Sequence, residues 1–432
     1  MINIKYITHA CLQIKLGKDY ILTDPWLNGP CWGGNIWHYP KNNITFKDIP
    51  TPKYIFFSHG HDDHLHFPSI EKMPPIWKKK STIIAPDFGA EWWTDELNKT
   101  GFKKFLFLKH NEKFRLNKFD LQIFINDRGD TDSSLLIKKN DKSIFLQTDN
   151  IMSEKEAKRI SKISNIQLSF VMPFMTGAYP AFYRIKPINS DYLIKGANLK
   201  KETSLKYSTR ITKILKSKYT VPYASDIAYM GENFFANIIM SHNKLDFSKK
   251  IKQKKVKTEV KLMCPNDTIN IDNNFKFKFK TSKYEYNNQK LAKFYYDNLD
   301  EYDKVVDNEK KYTLPKIKDL TNIFKTKIIE HFKNNNPQIN FIVQFKIKEL
   351  KSHIINFMLT KNKIKKIQLK KIKKIDLSIE IESYRLRRML KGDYPMHFLT
   401  FHNGGYHCTR RSLGLTANER KFWEWINFLN IS

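Results

Sequence analysis

The sequence predicts a mixed α/β (α+β) protein in two parts. Strands and helices interleave over 1–272, and a smaller α+β domain follows over 273–432. Three observations predict this. A chain of 432 residues is too long for one ordinary domain and fits two. Short apolar runs bounded by turn residues recur through the first part, with helical patterns between them. Asparagine, aspartate and proline then cluster between Met263 and Asp272, and a polar stretch follows. With 41% hydrophobic and 14% aromatic residues, there is ample apolar surface for packed cores.

Taken in order, the first strands are expected over 2–6, 12–16, 20–23 and 54–57. A loop over 25–40 carries Trp26, Trp32, Trp37 and Tyr39. These rings either pack over a sheet or wall the mouth of a site, since pockets favour aromatic linings. A helix is expected over 86–100, with the aromatic residues after Phe88 preceding a polar face. Strands resume over 104–108, 121–125, 133–138 and 143–147. A helix over 153–163, a strand over 167–172 and a long basic helix over 191–217 complete the first part. Residues 273–312 show weak periodicity. From Leu314 a helix runs to about Lys333, followed by strands over 338–347, 353–359 and 375–381 and a helix over 383–390. The closing stretch holds His397, His402 and His407, five apart, a spacing that suits neither a strand face nor a helix face. A last helix carries Trp423 and Trp425.

The residues with most chemical content are 58–64, Ser-His-Gly-His-Asp-Asp-His, directly after the apolar run Tyr54-Ile55-Phe56-Phe57. Histidine and aspartate cost free energy when buried unpaired, so this is a poor way to build a core. Imidazole nitrogen and carboxylate oxygen are, however, the usual donors for zinc and iron. His59 and His61, two apart in an extended segment, point to one side and can share a metal. Asp63 and His64 follow as the chain turns and can reach a second metal beside it.

This run, His59-Gly-His61-Asp-Asp63-His64, resembles the metal motif of the metallo-β-lactamase fold. The segments 6–12 and 21–27 resemble the opening strands of the branch that holds lactonases and N-acyl-phosphatidylethanolamine phospholipase. Residues 145–150 resemble the strand that delivers the aspartate bridging two metals, here Asp149. More narrowly, residues 58–70, 132–137 and 174–179 resemble the metal-binding part of CMP-N-acetylneuraminate hydroxylase. The resemblance implies a four-layer αββα metallo-β-lactamase sandwich, followed by the smaller α+β C-terminal domain, and the strand-strand-helix order fits it. It also implies one or two divalent metals per chain, held by His59, His61, Asp63, His64 and Asp149, with Asp63 catalytic as ligand and as the group orienting the nucleophilic water.

That fold usually supplies a further histidine to each metal from later loops, yet no histidine lies between 111 and 241. Asp132 or Asp130 can replace the first. Asp226, Glu232 and His242 are candidates for the second. Carboxylate in place of imidazole hardens a site and moves it from zinc towards iron or manganese. Trp26, Trp32 and Tyr179 are the candidate substrate-binding residues.

The net charge of +33 raises the question of nucleic acid. Residues 273–432 hold 33 basic and 16 acidic residues, and 1–272 hold 43 and 27, so the excess is shared by both parts. It is mostly lysine, in a composition rich in asparagine and isoleucine. The densest run, Lys361 to Lys374, alternates with apolar residues and reads as an edge strand or helix with a solvated basic face. Phosphate-binding patches usually add arginine and interleaved aromatics, so no specific nucleic-acid partner is expected. No run of eighteen apolar residues is present, so no membrane span is expected, and the first residues enter a strand without a signal-peptide pattern. Cysteines 11, 31, 264 and 408 have no metal or redox spacing, which fits a reducing cytoplasm, and Cys11 reads as a small buried hydrophobe.

The expected function is that of a cytoplasmic metal-dependent hydrolase using a metal-activated water, with zinc as the first choice of metal. By resemblance alone the substrate is a small phosphorylated or nucleotide-activated sugar. A second reading is an iron-dependent oxygenase like the hydroxylase. That family's Rieske cluster needs two Cys-His pairs, which are not found here, so this reading requires a separate electron donor. A third is a non-catalytic protein with a degenerate metal site.

Overall fold

A computed structural model describes residues 1–88, 97–129, 131–174, 183–185, 190–231, 234–240, 243–310, 317–347, 354–368, 374–390, 407–410 and 416–427. Two sheets face each other at its centre. The first has eight strands among the described residues, in the spatial order Phe277–Lys280, Thr268–Ile271, Ile2–Thr8, Cys11–Leu16, Asp19–Thr23, Tyr54–Phe56, Thr82–Pro86 and Phe105–Leu108. Its first half is antiparallel and its second half parallel. Cys11–Leu16 turns into Asp19–Thr23 over two residues, and Gly17 takes φ +67 there, as tight hairpins demand.

The second sheet has seven described strands, in the order Glu259–Val260, Tyr219–Pro222, Asn165–Val171, Lys142–Leu146, Ser133–Lys139, Phe119–Ile125 and Lys113–Leu116. Alternate residues from both sheets meet in one apolar layer: Ile4, Leu12 and Ile14 from the first, Leu121, Leu135 and Ile144 from the second. Opposite-facing residues fill two outer layers. Ile55, Ile83 and Phe57 pack under Phe67–Glu71 and Pro75–Lys80. Phe145, Leu136 and Ile166 pack under Glu154–Ser161, Ser190–Leu215 and Lys244–Gln253. Helix, sheet, sheet, helix is the four-layer arrangement expected from the strand-strand-helix order. The helices are locally specified: Ser153 caps Glu154–Ser161 by accepting from Glu156 N–H, and Asn243 caps Lys244–Gln253 by accepting from Leu245 N–H.

The C-terminal part is an α+β layer. Its sheet runs Tyr183–Ile185, His407–Arg410, Leu377–Ile381, Phe341–Ile347, Ile354–Leu359 and Ile364–Lys366. Helices Ile317–Asn334, Ser383–Leu390 and Ala417–Asn427 cover it, and Phe324, Phe345, Phe357 and Ile426 fill its core. Trp26, Trp32, Ile36 and Tyr229 from the first part belong to the same apolar cluster.

Several expectations change. Residues 82–86 form a parallel strand, so the helix expected from Pro86 begins later; Leu97–Lys99 are helical and 89–96 lie outside the described residues. Ile83, Ile84 and Ala85 are buried on both faces, the mark of a parallel interior strand. The weakly periodic 273–312 contains the edge strand Phe277–Lys280 and helices Asn288–Asp297 and Leu299–Lys310. A boundary after residue 272 cuts a hairpin, because Thr268–Ile271 pairs with both Ile2–Thr8 and Phe277–Lys280. Tyr183–Ile185, from the first part of the chain, pairs with His407–Arg410 in the C-terminal sheet. The basic run near 361–374 contributes the exposed edge strand Ile364–Lys366. His407 falls in a strand, whereas His397 and His402 lie outside the described residues.

Candidate metal centre

Parallel strands deliver their C-terminal ends to one rim, where open α/β sheets bind ligands. Tyr54–Phe56 leads into the 58–64 loop, Asp19–Thr23 into Asp24, and Lys142–Leu146 into Asp149. Ile2–Thr8 ends at His9 on the same rim. The turn closed by Asn126 N–H to Asp132 O (2.8 Å) presents Asp132.

The sequence-predicted donors are brought together. His59 Nε2 lies 2.7 Å from His61 Nδ1 and 3.8 Å from Asp132 Oδ1. His64 Nε2 lies 3.4 Å from Asp149 Oδ1, although 85 residues separate the two, and 4.0 Å from Asp63 Oδ2. His9 Nε2 lies 3.3 Å from Asp63 Oδ2. Three overlapping triads result, each with its donor atoms within 4.8 Å of one another: His59, His61 and Asp132; His59, His64 and Asp149; His9, Asp63 and His64.

A framework behind these donors fixes their tautomers. Asp24 Oδ1 accepts from Ser58 N–H (2.7 Å) and Oδ2 from Ser58 Oγ–H (2.8 Å). Having donated, Ser58 Oγ accepts from His59 Nδ1 at 2.8 Å, which leaves the His59 Nε2 lone pair facing the centre. Asp24 Oδ2 also accepts from His64 Nδ1 (3.0 Å), so His64 Nε2 likewise faces inward. Carboxylate–imidazole pairs of this kind orient metal-binding histidines. Ser133 Oγ–H donates to Ser58 O (2.7 Å), tying the loops of the two sheets together, and Asn126 Nδ2–H donates to Asn150 Oδ1 (2.9 Å) between two loops of the second sheet. Thr148, at φ 56, donates its N–H to Tyr223 Oη (2.6 Å) and so sets the turn that aims Asp149.

The donor set fits divalent cations. His64 Nε2, Asp149 Oδ1 and both ring nitrogens of His9 are buried without a hydrogen bond, which proteins rarely allow without a ligand to meet them. Asp24, Asp63, Asp132 and Asp149 crowd negative charge into one largely buried volume. Burial works against a charged His64, but Asp149, Asp24 and Asp63 outweigh it and hold that imidazole well above its ordinary pKa. Burial also opposes ionised Asp63, yet His64 and His9 keep it below the usual carboxylate range.

The neighbouring aromatic residues are buried. Trp26 donates Nε1–H to Gly29 O (2.8 Å) and lies against His38 with ring centroids 3.8 Å apart and the planes tilted by 34°; Trp32 donates Nε1–H to Asp63 Oδ1 (3.2 Å). Both pack in the core shared with the C-terminal sheet, and Trp32 thereby also touches the site. His66, three residues past Asp63, is structural. Its Nδ1 accepts from Ser69 N–H (3.2 Å), its Nε2 faces Pro30 O (3.2 Å), and burial pushes it down to about 3. Asp226 is corrected as a ligand candidate: it is bound up with Lys244 (2.6 Å) and with Tyr6 Oη (2.5 Å). Asp130, Glu232, His242 and Tyr179 lie outside the described residues. Sequence reasoning missed His9, Asp24 and Ser58 as site residues. Asp24 and Ser58 directly follow predicted strand ends and His9 comes three residues after one, which was the available signal.

Residues 3–151 match the family model of the beta-lactamase superfamily domain. Over 71 residues, 16% of this chain, the sequence is 39% identical to the cytidine monophosphate-N-acetylneuraminic acid hydroxylase of Asterias rubens; the match spans 11% of that relative's length. Among solved structures, Igni18, a metallo hydrolase from Ignicoccus hospitalis, overlays with a TM-score of 0.41 at 14% identity, covering 62% of this chain and 97% of that one. CmlA, a diiron beta-hydroxylase from Streptomyces venezuelae, overlays with a TM-score of 0.40 at 16% identity, covering 60% and 53%. Residues 3–151 thus resemble the beta-lactamase superfamily domain, and the paired sheets are consistent with a metallo-β-lactamase fold, with an additional C-terminal α+β region joined to them.

Proposed function

We propose that this chain is a metal-dependent hydrolase that works on a small-molecule substrate. The observation that carries the proposal is the set of overlapping His/Asp triads whose buried His9, His64 and Asp149 atoms lack hydrogen bonds. His59, His61 and Asp132 would hold one divalent ion, His9, Asp63 and His64 a second, with Asp149 between them. Such ions would bring the pKa of a bound water towards neutrality and polarise a carbonyl or phosphoryl oxygen of the substrate. The chain's own groups set the geometry. Trp32 Nε1–H holds one oxygen of Asp63 and leaves the other facing His9, where Asp63 orients the attacking water and takes its proton.

The substrate class proposed is a phosphorylated or nucleotide-activated sugar, supported by the short match to hydroxylases of a nucleotide sugar. The proposed setting is the cytoplasm; among the described residues no helix is long and apolar enough to cross a membrane. The test is metal analysis of the purified chain with hydrolysis assays on sugar phosphates and nucleotide sugars. Two zinc or manganese ions per chain and hydrolysis abolished by His61→Ala are expected. Full metal content and activity in His61→Ala would overturn the proposal.

One observation favours a second reading. Asp132 stands where an imidazole would favour zinc, and carboxylate-rich sites suit iron. An oxygenase drawing on a separate electron donor would retain iron and consume oxygen when reduced, and would leave the hydrolase substrates untouched.

A further inference from the structure

Behind His9 lies a polar unit that the proposed chemistry does not use. Lys244 and Asp226 form an ion pair at 2.6 Å, and both side chains are completely buried. Lys244 Nζ also donates to Tyr6 Oη and to Met263 O, each at 3.0 Å. Tyr6 Oη–H donates to Asp226 Oδ2 (2.5 Å) and lies 3.0 Å from His9 O. The same Asp226 oxygen accepts the backbone N–H of His9 at 3.2 Å. Thus the backbone N–H of His9 is held by this unit, while its carbonyl accepts from Ala224 N–H (3.0 Å) beside the Tyr6 hydroxyl. His9 itself sits at φ 47, in the left-handed region that a residue with a Cβ avoids unless its surroundings impose it.

A buried ion pair is weak evidence for stability, because desolvation offsets most of its attraction. Here the carboxylate is committed to one strained residue whose imidazole, buried and without a hydrogen bond, is aimed at Asp63 and His64. The chain has no histidine between 111 and 241 to serve the second metal.

We propose that Lys244, Asp226 and Tyr6 form a positioning unit that locks His9 in its left-handed conformation, so that His9 supplies an imidazole to the second metal. Asp226 acts through His9 and is not itself a ligand. Lys244 neutralises a carboxylate that would otherwise be buried as a bare charge. The inference rests on the two-metal reading above.

Zinc titration with direct metal counting, together with the visible spectrum of cobalt-loaded protein, tests it without reference to activity. In Asp226→Leu/Lys244→Met the ion pair is replaced by apolar groups and His9 N–H loses its acceptor. Second-metal affinity should fall about 10–100-fold, as for lost outer-shell partners, with the first metal retained and the second cobalt band altered. Asp226→Asn/Lys244→Met keeps a neutral acceptor for His9 N–H and should stay within a few-fold of wild type. Tyr6→Phe, a smaller change, should weaken the second metal alone by several-fold, and it decides the matter if the Leu/Met double variant does not fold. Unchanged second-metal affinity in the Leu/Met variant or in Tyr6→Phe overturns the inference. Equal loss in both double variants also overturns it, because it assigns the effect to the ion pair and not to the acceptor. Wild-type protein that binds fewer than two ions defeats the underlying two-metal reading instead.

Discussion

Asp24→Asn changes one atom of a side chain that touches no proposed metal position, and it should nevertheless disable one. Asp24 accepts from three donors: Ser58 N–H at 2.7 Å, Ser58 Oγ–H at 2.8 Å and His64 Nδ1 at 3.0 Å. Asparagine has only one oxygen. The Ser58 N–H is fixed by the backbone, so the amide oxygen must stay there, and the NH2 group then faces Ser58 Oγ and His64 Nδ1. The hydroxyl can rotate to accept, but His64 Nδ1 can accept only if its proton moves to Nε2. That nitrogen lies 3.4 Å from Asp149 and faces the centre, so the tautomer change replaces its inward lone pair with an N–H. Loss of a charge-assisted hydrogen bond costs about 1.5–3 kcal/mol. Second-sphere changes at metal-binding histidines lower affinity about 10–100-fold, or about 1.4–2.7 kcal/mol. Zinc titration and counting should therefore show weaker binding of one ion in Asp24→Asn. Long-range 1H–15N spectra of the metal-free protein, taken at a pH above the raised pKa of His64, should show the His64 tautomer switched. Wild-type affinity with an unchanged tautomer would refute the assignment of Asp24 as the group that orients His64.

Gly231→Ala should destabilise the packing of Leu299–Lys310 on the first part, because a Cβ there would meet Tyr302 Oη at 1.9 Å and φ is +61. A loss of about 1–3 kcal/mol in thermal unfolding, partly recovered by adding Tyr302→Ala, is the expected result; additive effects would count against the contact. Burial lowers the pKa of His331, whose Nε2–H donates to Trp425 O at 2.8 Å. The unfolded chain therefore binds this proton more readily, and stability present above about pH 6.5 is lost as pH falls below it. His331→Gln should flatten that acid limb in unfolding curves taken at several pH values, whereas parallel curves for the two proteins would contradict the sign. Finally, polyanion binding through the scattered lysines should weaken by about a thousandfold between 50 and 200 mM salt, measured by fluorescence anisotropy with an oligonucleotide. Tight binding at physiological salt, with metal-dependent cleavage lost in His59→Ala, would make nuclease chemistry the better account.

What the sequence determined by itself was local. Period-two runs such as 2–6 and 12–16 became strands because one face of each meets the other sheet. His59, His61, Asp63 and His64 were legible because all four lie within one turn after one strand, so spacing alone predicts their convergence. Asp149 was legible only through resemblance, and its approach to His64 is a product of two sheets meeting. Tertiary structure decided everything that depends on distant segments sharing a rim. His9 joins the centre because Ile2–Thr8 pairs centrally in the first sheet, and Asp226 leaves it because Lys244, from a helix later in the chain, neutralises it. Trp26 and Trp32 of the 25–40 loop are core rather than open wall because they pack in one cluster with the C-terminal sheet, a contact that no local pattern encodes. The hairpin crossing residue 272 and the strand at 183–185 follow the same logic. Backbone hydrogen bonds are satisfied wherever an edge is available, so sheet membership is set by which edges meet in space and not by the order of the residues.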